Sequence, residues 1–381
     1  MTTIYLIRHG EAEGNLYRRM QGQYDSRITE LGARQIAALG ERFRGTPLDA
    51  VYSSDLCRTM ETAAVLCRKK GLPLHTDPRL REIDVGIWED RTFGDATAEN
   101  PREMDQFTNH LTEFSLPGAE RYCQVAQRME AAVRDIASRH PGEQVAIASH
   151  SLSIGALLAG LFFGLDHPER AGRSTNTAVT KLTYEQGVFS MVYCHDRSHL
   201  SEMLSPLHPR ASMNIRPMGD NAVEEYIRYR RDAWQVVYGS LEGFNGSGFW
   251  LDAKRTMGSD PMAMAVGYLQ GAPVGMIQLS PDRDREKGVG YIPFLYLREP
   301  YRHQGLGIQL IGHGVSFYRR LGRTKLQLSV APTNEKALGF YRKYGFYQVK
   351  KQRGRFGHLL LLEKDIAPAM PPGDIQIIHG S

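Results

Sequence analysis

Three short apolar segments in the first half of the chain each end beside an ionisable side chain. The segments are Thr3–Ile7, Ala50–Ser54 and Val145–Ser149. Arg8 and His9 follow the first segment, Arg58 lies in the first turn of the helical stretch after the second, and His150 follows the third. Open α/β sheets bind ligands at the carboxyl ends of their strands, so these three ends predict one shared site.

Amphipathic helical stretches separate these segments over about the first 200 residues. Alternation of short strands with helices predicts a three-layer α/β/α domain, 1–200, with a largely parallel sheet. The chain has 381 residues, which is more than one domain usually contains, so we expect a second domain. Prolines and serines without hydrophobic periodicity mark residues 201–213 as the linker between the two.

Two histidines and two arginines at one sheet edge would form a cationic cup. The planar guanidinium group matches the oxygens of a tetrahedral phosphate through paired hydrogen bonds, so a phosphoryl group is the expected ligand. A neutral imidazole can attack phosphorus, and water then hydrolyses the phosphohistidine, which divides one difficult step into two. This chemistry requires no metal ion. Taken alone, however, Arg8-His9-Gly10 is also compatible with an ordinary turn after a strand.

The order of motifs over the first 200 residues resembles the histidine phosphatase superfamily, the phosphoglycerate-mutase-like proteins. The motifs are RHGEAEGN at 8–15, QGQYDSRITELG at 21–32, SSDLCRT at 53–59, LREIDVGIWED at 80–90, PGAE at 117–120 and SH at 149–150. The resemblance implies His9 as the nucleophile and Glu82 as the proton donor to the leaving oxygen. The residues that it implies as ligands of the phosphoryl oxygens during catalysis are Arg8, Asn15, Arg58 and His150.

Two positions depart from the pattern that we associate with this superfamily. Asp90 stands where glycine is common, and Ser151 follows His150 where glycine is frequent. A mutase is the alternative to a phosphatase, because a phosphohistidine can also return its phosphate to a second hydroxyl. Mutases usually carry a longer insertion between the proton donor and the second histidine, whereas residues 83–149 contain one obvious helical segment, which favours hydrolysis of a small phosphorylated metabolite.

The second half of the chain contains a strand, a glycine-rich turn and a helix in succession. The strand ends at Leu297, and RHQGLG at 302–307 precedes an amphipathic helix. Glycines let the backbone approach a ligand closely, and the free N–H groups at a helix start favour a pyrophosphate. A further strand over 326–330 is followed by Asn334, a residue type favoured at N-caps, and by the helical sequence EKALGFYRKYGF.

These motifs resemble the GNAT N-acetyltransferase family over residues 214–366, including a hairpin turn at Gln270-Gly271 and the final strand HLLLLEKDI. The resemblance implies a mixed α/β fold, acetyl-CoA as the acyl donor and an amine as the acceptor. It implies Tyr341 as the proton donor to the departing thiolate. The residues that it implies as cofactor contacts are Leu297, Arg302, His303, Gln304, Gly305, Leu306, Gly307, Ile308 and Asn334. No general base is evident, and Glu299 or a water relay remains open.

Other residues of the second half favour ordinary structural roles. The aromatic residues expected in the core are Phe317, Tyr318, Phe340 and Phe346. The arginines expected on a solvated helix face are Arg228, Arg230 and Arg231. The proline-rich tail, 367–381, is expected to be flexible.

Composition narrows the location and the partners. The four cysteines show no C-x-x-C pairing, and the first residues show no targeting segment, so we expect a cytoplasmic protein. No apolar stretch is long enough to span a bilayer, so we expect no membrane association. Basic residues are scattered among acidic ones despite a net charge of +5, which disfavours nucleic acid as a partner.

Three kinds of protein remain open at this point. Motifs that look complete in both halves favour a bifunctional enzyme. Because the second half has no evident base, an acetyl-CoA sensor attached to a phosphatase is the second possibility. A binding protein with two degenerate sites is disfavoured, because the phosphatase motifs lack no member.

We predict that Glu82→Gln slows hydrolysis of an alkyl phosphate more than hydrolysis of a nitrophenyl phosphate. A nitrophenolate leaves without being protonated, whereas an alkoxide needs the proton of a general acid, a contribution of about 10²- to 10⁴-fold. Measurement of kcat/KM for both esters, in wild type and variant, gives the difference. Equal slowing of both would contradict the role of Glu82 as proton donor.

Overall fold

The computed structural model describes most of the chain and divides it into two units. The described residues are 1–204, 211–219, 222–354 and 357–380. The first unit contains residues 1–91, 99–208 and 369–381, and the second contains 92–98 and 209–368. Both units mix helices with sheets, and the predicted fold class is confirmed. The expected linker, 201–213, lies partly outside the described residues.

The first unit is built on one sheet of seven strands. The strands are β1 (Thr2–Arg8), β2 (Ala50–Ser53), β3 (Leu74–Thr76), β4 (Gln144–Ser149), β5 (Val179–Glu185), β6 (Val188–Asp196) and a short C-terminal strand described below. The first four run parallel in the order β3-β2-β4-β1, and β5 and β6 continue beyond β1 as antiparallel neighbours. β1 and β4 are almost entirely buried, the pattern of parallel strands covered on both faces.

The N-terminal half contains seven α-helices among its described residues. They are α1 (Glu13–Tyr17), α2 (Glu30–Arg42), α3 (Cys57–Lys70), α4 (Phe93–Glu99), α5 (Pro101–Asn109), α6 (Tyr122–Arg139) and α7 (Ser151–Leu158). Three of them, α4 to α6, lie between Glu82 and His150, where the sequence predicted one obvious helical segment. Pro101 at the first position of α5 starts a new helix rather than ending one. The preference for hydrolysis based on this segment therefore loses support.

Part of α4 belongs to the second unit, although its residues lie within the predicted range 1–200. Asp95 Oδ1 accepts hydrogen bonds from Ile215 N (2.7 Å) and from Asn214 Nδ2 (2.8 Å). Thr92 Oγ1 donates to Met213 O (3.1 Å). These bonds fix the start of the second unit's first strand to a segment that precedes it by more than 100 residues.

The second unit contains two sheets of four strands each. Its strands are β7 (Asn214–Pro217), β8 (Met264–Leu269), β9 (Ala272–Gln278), β10 (Val289–Ile292), β11 (Phe294–Leu297), β12 (Lys325–Val330), β13 (Tyr347–Gly354) and β14 (Gly357–Asp365). Its helices are α8 (Val223–Tyr238), α9 (Gly246–Ser259), α10 (Gly307–Arg320) and α11 (Glu335–Lys343). The sheet orders are β11-β9-β8-β7 and β10-β12-β14-β13. Gln270 (φ 51°) and Gly271 (φ 81°) form the predicted hairpin turn.

Pro293 divides one predicted strand between these two sheets. β10 pairs with β12 as far as Ile292 and Leu328, whereas β11 pairs with β9. The side chain of Ile292 lies beside α10, whereas that of Phe294 lies against α8. Residues two apart in a regular strand point to the same face, so Pro293 shifts the alternation of side chains by one residue. Past Pro293, β11 pairs with β9 and the end of β12 pairs with β14. Within the described residues, the facing edges of β11 and β12 therefore remain open.

The C-terminal residues return to the first unit instead of forming the flexible tail expected for 367–381. β15 (Ile377–His379) pairs in parallel with β3, and Ile375 packs against the core of this sheet. Arg68 also donates two hydrogen bonds to the Asp374 carboxylate (2.6 and 2.7 Å). The prolines before this segment concealed its apolar alternation. Among the described residues, every helix is too short or too polar to cross a membrane.

We predict that removing residues 369–381 destabilises the first unit by about 2 kcal/mol, because the buried surfaces of two isoleucines are lost. Urea unfolding followed by the fluorescence of Trp88, with Trp234 and Trp250 replaced by phenylalanine, measures this unit. The control is Asp374→Asn, which should change the midpoint little because exposed ion pairs contribute little. An unchanged midpoint after truncation would contradict a structural role for β15.

Candidate functional site

The structure brings the three strand ends together at one edge of the first sheet. β1 and β2 both pair with β4, and Arg8 lies opposite Ser149 in the β1–β4 register. His9 N donates to Ser149 O (3.1 Å). The ring centroids of His9 and His150 lie 5.3 Å apart. Adjacent parallel strands end at the same edge, so two residues separated by 140 positions become neighbours.

His9 is held in the tautomer that a nucleophile requires. Its Nδ1 lies 2.7 Å from Gly10 O. Because a carbonyl oxygen only accepts hydrogen bonds, Nδ1 carries the proton and Nε2 presents its lone pair. Burial, together with the positive charges of Arg58 and Arg8, lowers the pKa of His9 well below its ordinary value. His9 is therefore neutral near neutral pH.

Three buried nitrogen atoms in this region have no hydrogen-bond partner within the described part of the chain. They are Arg8 Nε, Arg58 Nε and His150 Nδ1. A buried polar group without a partner costs about 1–3 kcal/mol, and folded proteins contain few of them. A ligand that supplies acceptors explains such a group of atoms. Because two of the donors belong to guanidinium groups, the ligand that fits is an anion.

The other nitrogens of the two arginines are fixed by backbone carbonyl groups. Arg8 Nη1 donates to Ser174 O (2.5 Å). Arg58 donates to Tyr24 O (2.8 Å) and to Gly22 O (2.6 Å). Burial lowers the pKa of Arg8 to about 10, which leaves the side chain charged at neutral pH. Backbone carbonyls thus orient both arginines, and the Asp25 carboxylate lies beside Arg58, with its Oδ1 3.9 Å from Nη1.

The loop that anchors Arg58 is held in turn by Glu89. Its carboxylate accepts hydrogen bonds from the N–H groups of Gln23 (2.8 Å) and Tyr24 (2.6 Å). The next residue, Asp90, has a left-handed backbone (φ 56°), which explains why glycine is favoured here. Asp90 Oδ1 accepts from Arg19 Nε (2.6 Å), an ion pair that glycine could not form.

Glu82 lies at the start of α7. Its Oε1 accepts from Ser153 N (2.9 Å) and Ser153 Oγ (3.0 Å), and its Oε2 accepts from Leu152 N over a longer distance (3.3 Å). Burial lowers the pKa of Arg8 and of Arg58, and the Glu82 carboxylate opposes both shifts. Glu82 is therefore within electrostatic reach of both arginines, and Oε2 is the less engaged of its oxygens.

Asn15 is engaged mainly with the protein. Its Oδ1 accepts from Ala12 N (3.0 Å) and lies 3.5 Å from Asn176 Nδ2. Asn176 Nδ2 also donates to His9 O (3.0 Å). The Nδ2 donor of Asn15 is the part of this side chain that remains for a ligand.

In the second unit, the glycine-rich turn leads directly into α10. His303 (φ 63°) and Gly305 (φ 74°) have left-handed backbones, a feature of concave anion-binding turns. The N-cap residue, Leu306, cannot cap the first N–H groups of the helix with its side chain. Gly307 has a packing role, because a Cβ atom there would lie 3.2 Å from the Phe340 ring. The start of α10 thus fits a pyrophosphate.

Leu297 and Arg302 lie at the two ends of the turn that precedes α10. Arg302 Nε donates to Leu297 O (2.9 Å). Gln304 Nε2 donates to Pro300 O (2.8 Å), and the side chain of Ile308 is fully buried. The side chains of these residues therefore shape the turn, and its backbone is what remains for a ligand.

Tyr341 and Asn334 lie on and before α11. Burial raises the pKa of Tyr341, so the phenol keeps its proton at neutral pH. Asn334 Oδ1 accepts from Ala337 N (3.1 Å), the N-cap bond expected from its residue type. The open edges of β11 and β12, the turn before α10 and this buried phenol together fit an extended thioester cofactor.

Protein families match both halves of the chain. The "Histidine phosphatase superfamily (branch 1)" matches residues 4–197. The chain belongs to the histidine phosphatase superfamily. The "Acetyltransferase (GNAT) family" matches residues 223–346, so the second domain is a GNAT domain. Both resemblances recognised in the sequence are thereby confirmed.

Individual relatives match the histidine phosphatase domain. "Probable phosphoglycerate mutase GpmB" from Yersinia pestis (strain Pestoides F) and from Yersinia pseudotuberculosis serotype O:1b (strain IP 31758) are each 35% identical to it over 186 residues. The alignment covers 49% of this chain and 86% of each relative. The solved structure of Bacillus stearothermophilus YhfR is 36% identical, with a TM-score of 0.51, and the match covers 52% of this chain and 99% of that protein.

Sequence reasoning missed the residues that support the histidine phosphatase site. They are Ser54, Thr62, Glu89, Arg128, Ser174 and Asn176. Ser54 Oγ lies 3.1 Å from His150 Nε2, and Arg128 donates to Glu82 O (2.9 Å). The polar run STNT at 174–177, immediately before β5, was the one signal that could have indicated this loop.

One arginine of the GNAT domain differs from its expected exposure. Arg228 and Arg231 are exposed, as the sequence predicted. Arg230 instead lies over the Phe294 ring, with its Cζ 3.9 Å from the ring centroid. Helical periodicity places it on the face of α8 that packs against β11. The expected core positions of Phe317, Tyr318 and Phe346 are confirmed, whereas Phe340 is half-buried.

We predict that the ring of His9 titrates at a lower pH in the folded protein than in the unfolded chain, because burial and the charges of Arg58 and Arg8 hold its pKa well below the usual value of about 6.5. Below that value the unfolded chain binds more protons than the folded one, so the folded domain loses stability as the pH falls. NMR of ¹⁵N-labelled histidine rings, assigned with His9→Asn, measures the titration. In urea the ring should titrate normally, and a folded-state midpoint near 6.5 would contradict the prediction.

Proposed function

We propose that the protein is a bifunctional enzyme, a phosphomonoester hydrolase that acts through phosphohistidine and an acetyl-CoA-dependent N-acetyltransferase. The observation that carries the first activity is the group of unpartnered buried nitrogens of Arg8, Arg58 and His150 beside a neutral His9. An anion is required to satisfy them, and a nucleophile stands next to it.

In the proposed mechanism, His9 Nε2 attacks phosphorus in line with the ester oxygen. The P–N bond forms as the P–O bond breaks, and Glu82 gives its proton to the leaving oxygen. Arg8 and Arg58 neutralise the charge on the equatorial oxygens, and His150 donates a hydrogen bond to one of them. Water then attacks the phosphohistidine, Glu82 takes a proton from that water, and the P–N bond breaks to restore neutral His9.

A mutase is the second candidate for this site, and the names of the two Yersinia relatives favour it. Both reactions share the first step and differ in whether water or a second hydroxyl receives the phosphate. A purified protein that interconverts phosphoglycerates faster than it releases phosphate would be a mutase.

For the GNAT domain, we propose that the backbone of the turn before α10 and the first N–H groups of that helix bind the pyrophosphate of acetyl-CoA. Tyr341 then protonates the departing thiolate, because its buried phenol retains a proton to give. The alternative is a domain that binds acetyl-CoA and transfers nothing. The substrates on both sides are expected to be small molecules.

We predict that His9→Ala abolishes metal-free phosphate release from a panel of sugar phosphates, phosphoglycerates, nucleotides and phosphopeptides. Alanine cannot form the P–N bond, so the two-step route is lost. Acetyl-CoA affinity, measured by calorimetry, should not change and serves as the control for folding. Residual activity of the variant equal to wild type would exclude His9 as the nucleophile.

We predict that Gly305→Val weakens acetyl-CoA binding by about tenfold or more, because valine disfavours a left-handed backbone and fills the approach to the turn. The matched control is Gly322→Val, which introduces the same strain (φ 71°) beyond the opposite end of α10. Calorimetric titration measures both variants. Equal affinity of the two variants would place the pyrophosphate elsewhere.

A further inference from the structure

Arg230 is a charged side chain enclosed by aromatic rings in the GNAT domain. Its Cζ lies 3.9 Å from the ring centroid of Phe294 and 4.6 Å from that of Phe249. Nε donates to Tyr226 OH (2.9 Å), and Nη2 donates to Gln278 Oε1. Both contacts are with neutral groups, so they hold the guanidinium in place without cancelling its charge.

Within the described residues, no carboxylate lies within ion-pair distance of Arg230. Asp252 is linked to it through Gln278, whose Nε2 donates to Asp252 Oδ2 (2.8 Å), and its charge also acts on the guanidinium from beyond ion-pair distance. Arg228, two residues earlier, is exposed and paired with Glu225 (2.7 Å). Helix α8 therefore places Arg228, which has an ion-pair partner, in water. It places Arg230, which has no ion pair among the described residues, beside aromatic rings. Arg230 is only partly buried, but a charge that is withdrawn from water without a close counter-ion is still costly, and contacts with aromatic faces offset only part of this cost.

Arg230 retains hydrogen-bonding capacity on one edge. A guanidinium has five N–H donors, and the two bonds above use one on Nε and one on Nη2. The remaining donors belong to Nη1 and Nη2, the pair that binds a planar carboxylate through two parallel hydrogen bonds. Aromatic rings cover the faces of the group, so an anion can approach only along that edge.

The position of Arg230 relates it to the proposed acetyl transfer. Phe294 is the first residue of β11 beyond Pro293, where the edges of β11 and β12 become open. Phe294 and Tyr296 face α8, while Leu297 lies beside Gly307 at the start of α10. The proposed donor site and Arg230 thus lie on opposite faces of β11. An acceptor bound at Arg230 would approach the thioester through the opening from the α8 face.

We propose that Arg230 binds a carboxylate of the acetyl acceptor, so that the acceptor is an amine that also carries a carboxylate, as amino acids do. This inference rests on the proposed acetyl transfer. A single guanidinium matches one negative charge, and the negative charge of Asp252, which acts on Arg230, disfavours a dianion such as a phosphomonoester. In the transfer, the ammonium first loses a proton to water, and the neutral amine nitrogen forms the bond to the acetyl carbon. The C–S bond breaks as Tyr341 protonates the sulfur, and a second proton lost from the nitrogen restores the Tyr341 phenol.

The test compares the twenty amino acids with their carboxamides as acceptors, with thiol release from acetyl-CoA as the readout. Wild type should favour the acids, and Arg230→Gln should raise their KM by about 10- to 100-fold and remove the preference. Arg230→Lys, which keeps the charge but cannot form the two parallel hydrogen bonds, should retain part of the preference for acids. Arg231→Gln, an exposed neighbour on the same helix, should behave as wild type. An equal preference in Arg230→Gln and wild type would overturn the proposal.

Binding separates failure of this inference from failure of the acetyltransferase proposal. If no amine is acetylated although acetyl-CoA binds, the proposal of acetyl transfer is wrong. Calorimetry of the same amino acids with CoA-saturated protein then tests the role of Arg230 separately. Binding to wild type that weakens at least about tenfold in Arg230→Gln supports the carboxylate site. Equal binding, or no binding to wild type, overturns it. Should Arg230→Gln fail to fold, Arg230→Lys provides the same comparison.

Discussion

Positive charge buried at the end of a parallel sheet, with hydrogen-bond donors that the described residues leave without acceptors, is the constraint on which the first unit depends. Arg8 and Arg58 are fixed by backbone carbonyls that orient them but leave their charge available. The same charge, together with burial, keeps His9 neutral. In the proposed mechanism, one arrangement therefore attracts the phosphate and preserves the lone pair that attacks it. The surrounding loops support this arrangement. Glu89 holds the loop that anchors Arg58, and Arg128 holds the segment that positions Glu82.

In the GNAT domain, the arrangement of the sheets depends on a single proline. Pro293 separates β10 from β11, so one continuous strand serves two sheets and leaves two edges open. An extended cofactor arm can use such backbone edges as a strand would. The two faces of β11 then carry different groups, with the glycine-rich turn and Tyr341 on one side and Arg230 on the other. The proposed acyl transfer joins these two faces.

The sequence was sufficient for features that depend on local patterns. Apolar segments followed by charged residues predicted the shared edge, because parallel strands necessarily align their carboxyl ends. Features that depend on distant contacts were missed. β15 pairs with β3 across 300 residues, and Asp95 joins the second unit through Ile215, so no local pattern indicates either. Arg230 was misjudged because charge alone suggested exposure, whereas its helical position faces β11. Asp90 could be explained only once its backbone angle and its ion pair with Arg19 were seen.

The central claim is that the phosphoryl group passes through His9, and its most direct test is the stereochemical course at phosphorus. A thiophosphate ester made chiral at phosphorus with two oxygen isotopes is converted by the purified enzyme in water that carries the third isotope, and the configuration of the product is determined. Each in-line displacement inverts the configuration, so two successive displacements restore it. The account predicts overall retention, whether water or a hydroxyl is the final acceptor. Overall inversion would mean direct transfer to the acceptor and would contradict a phosphohistidine intermediate.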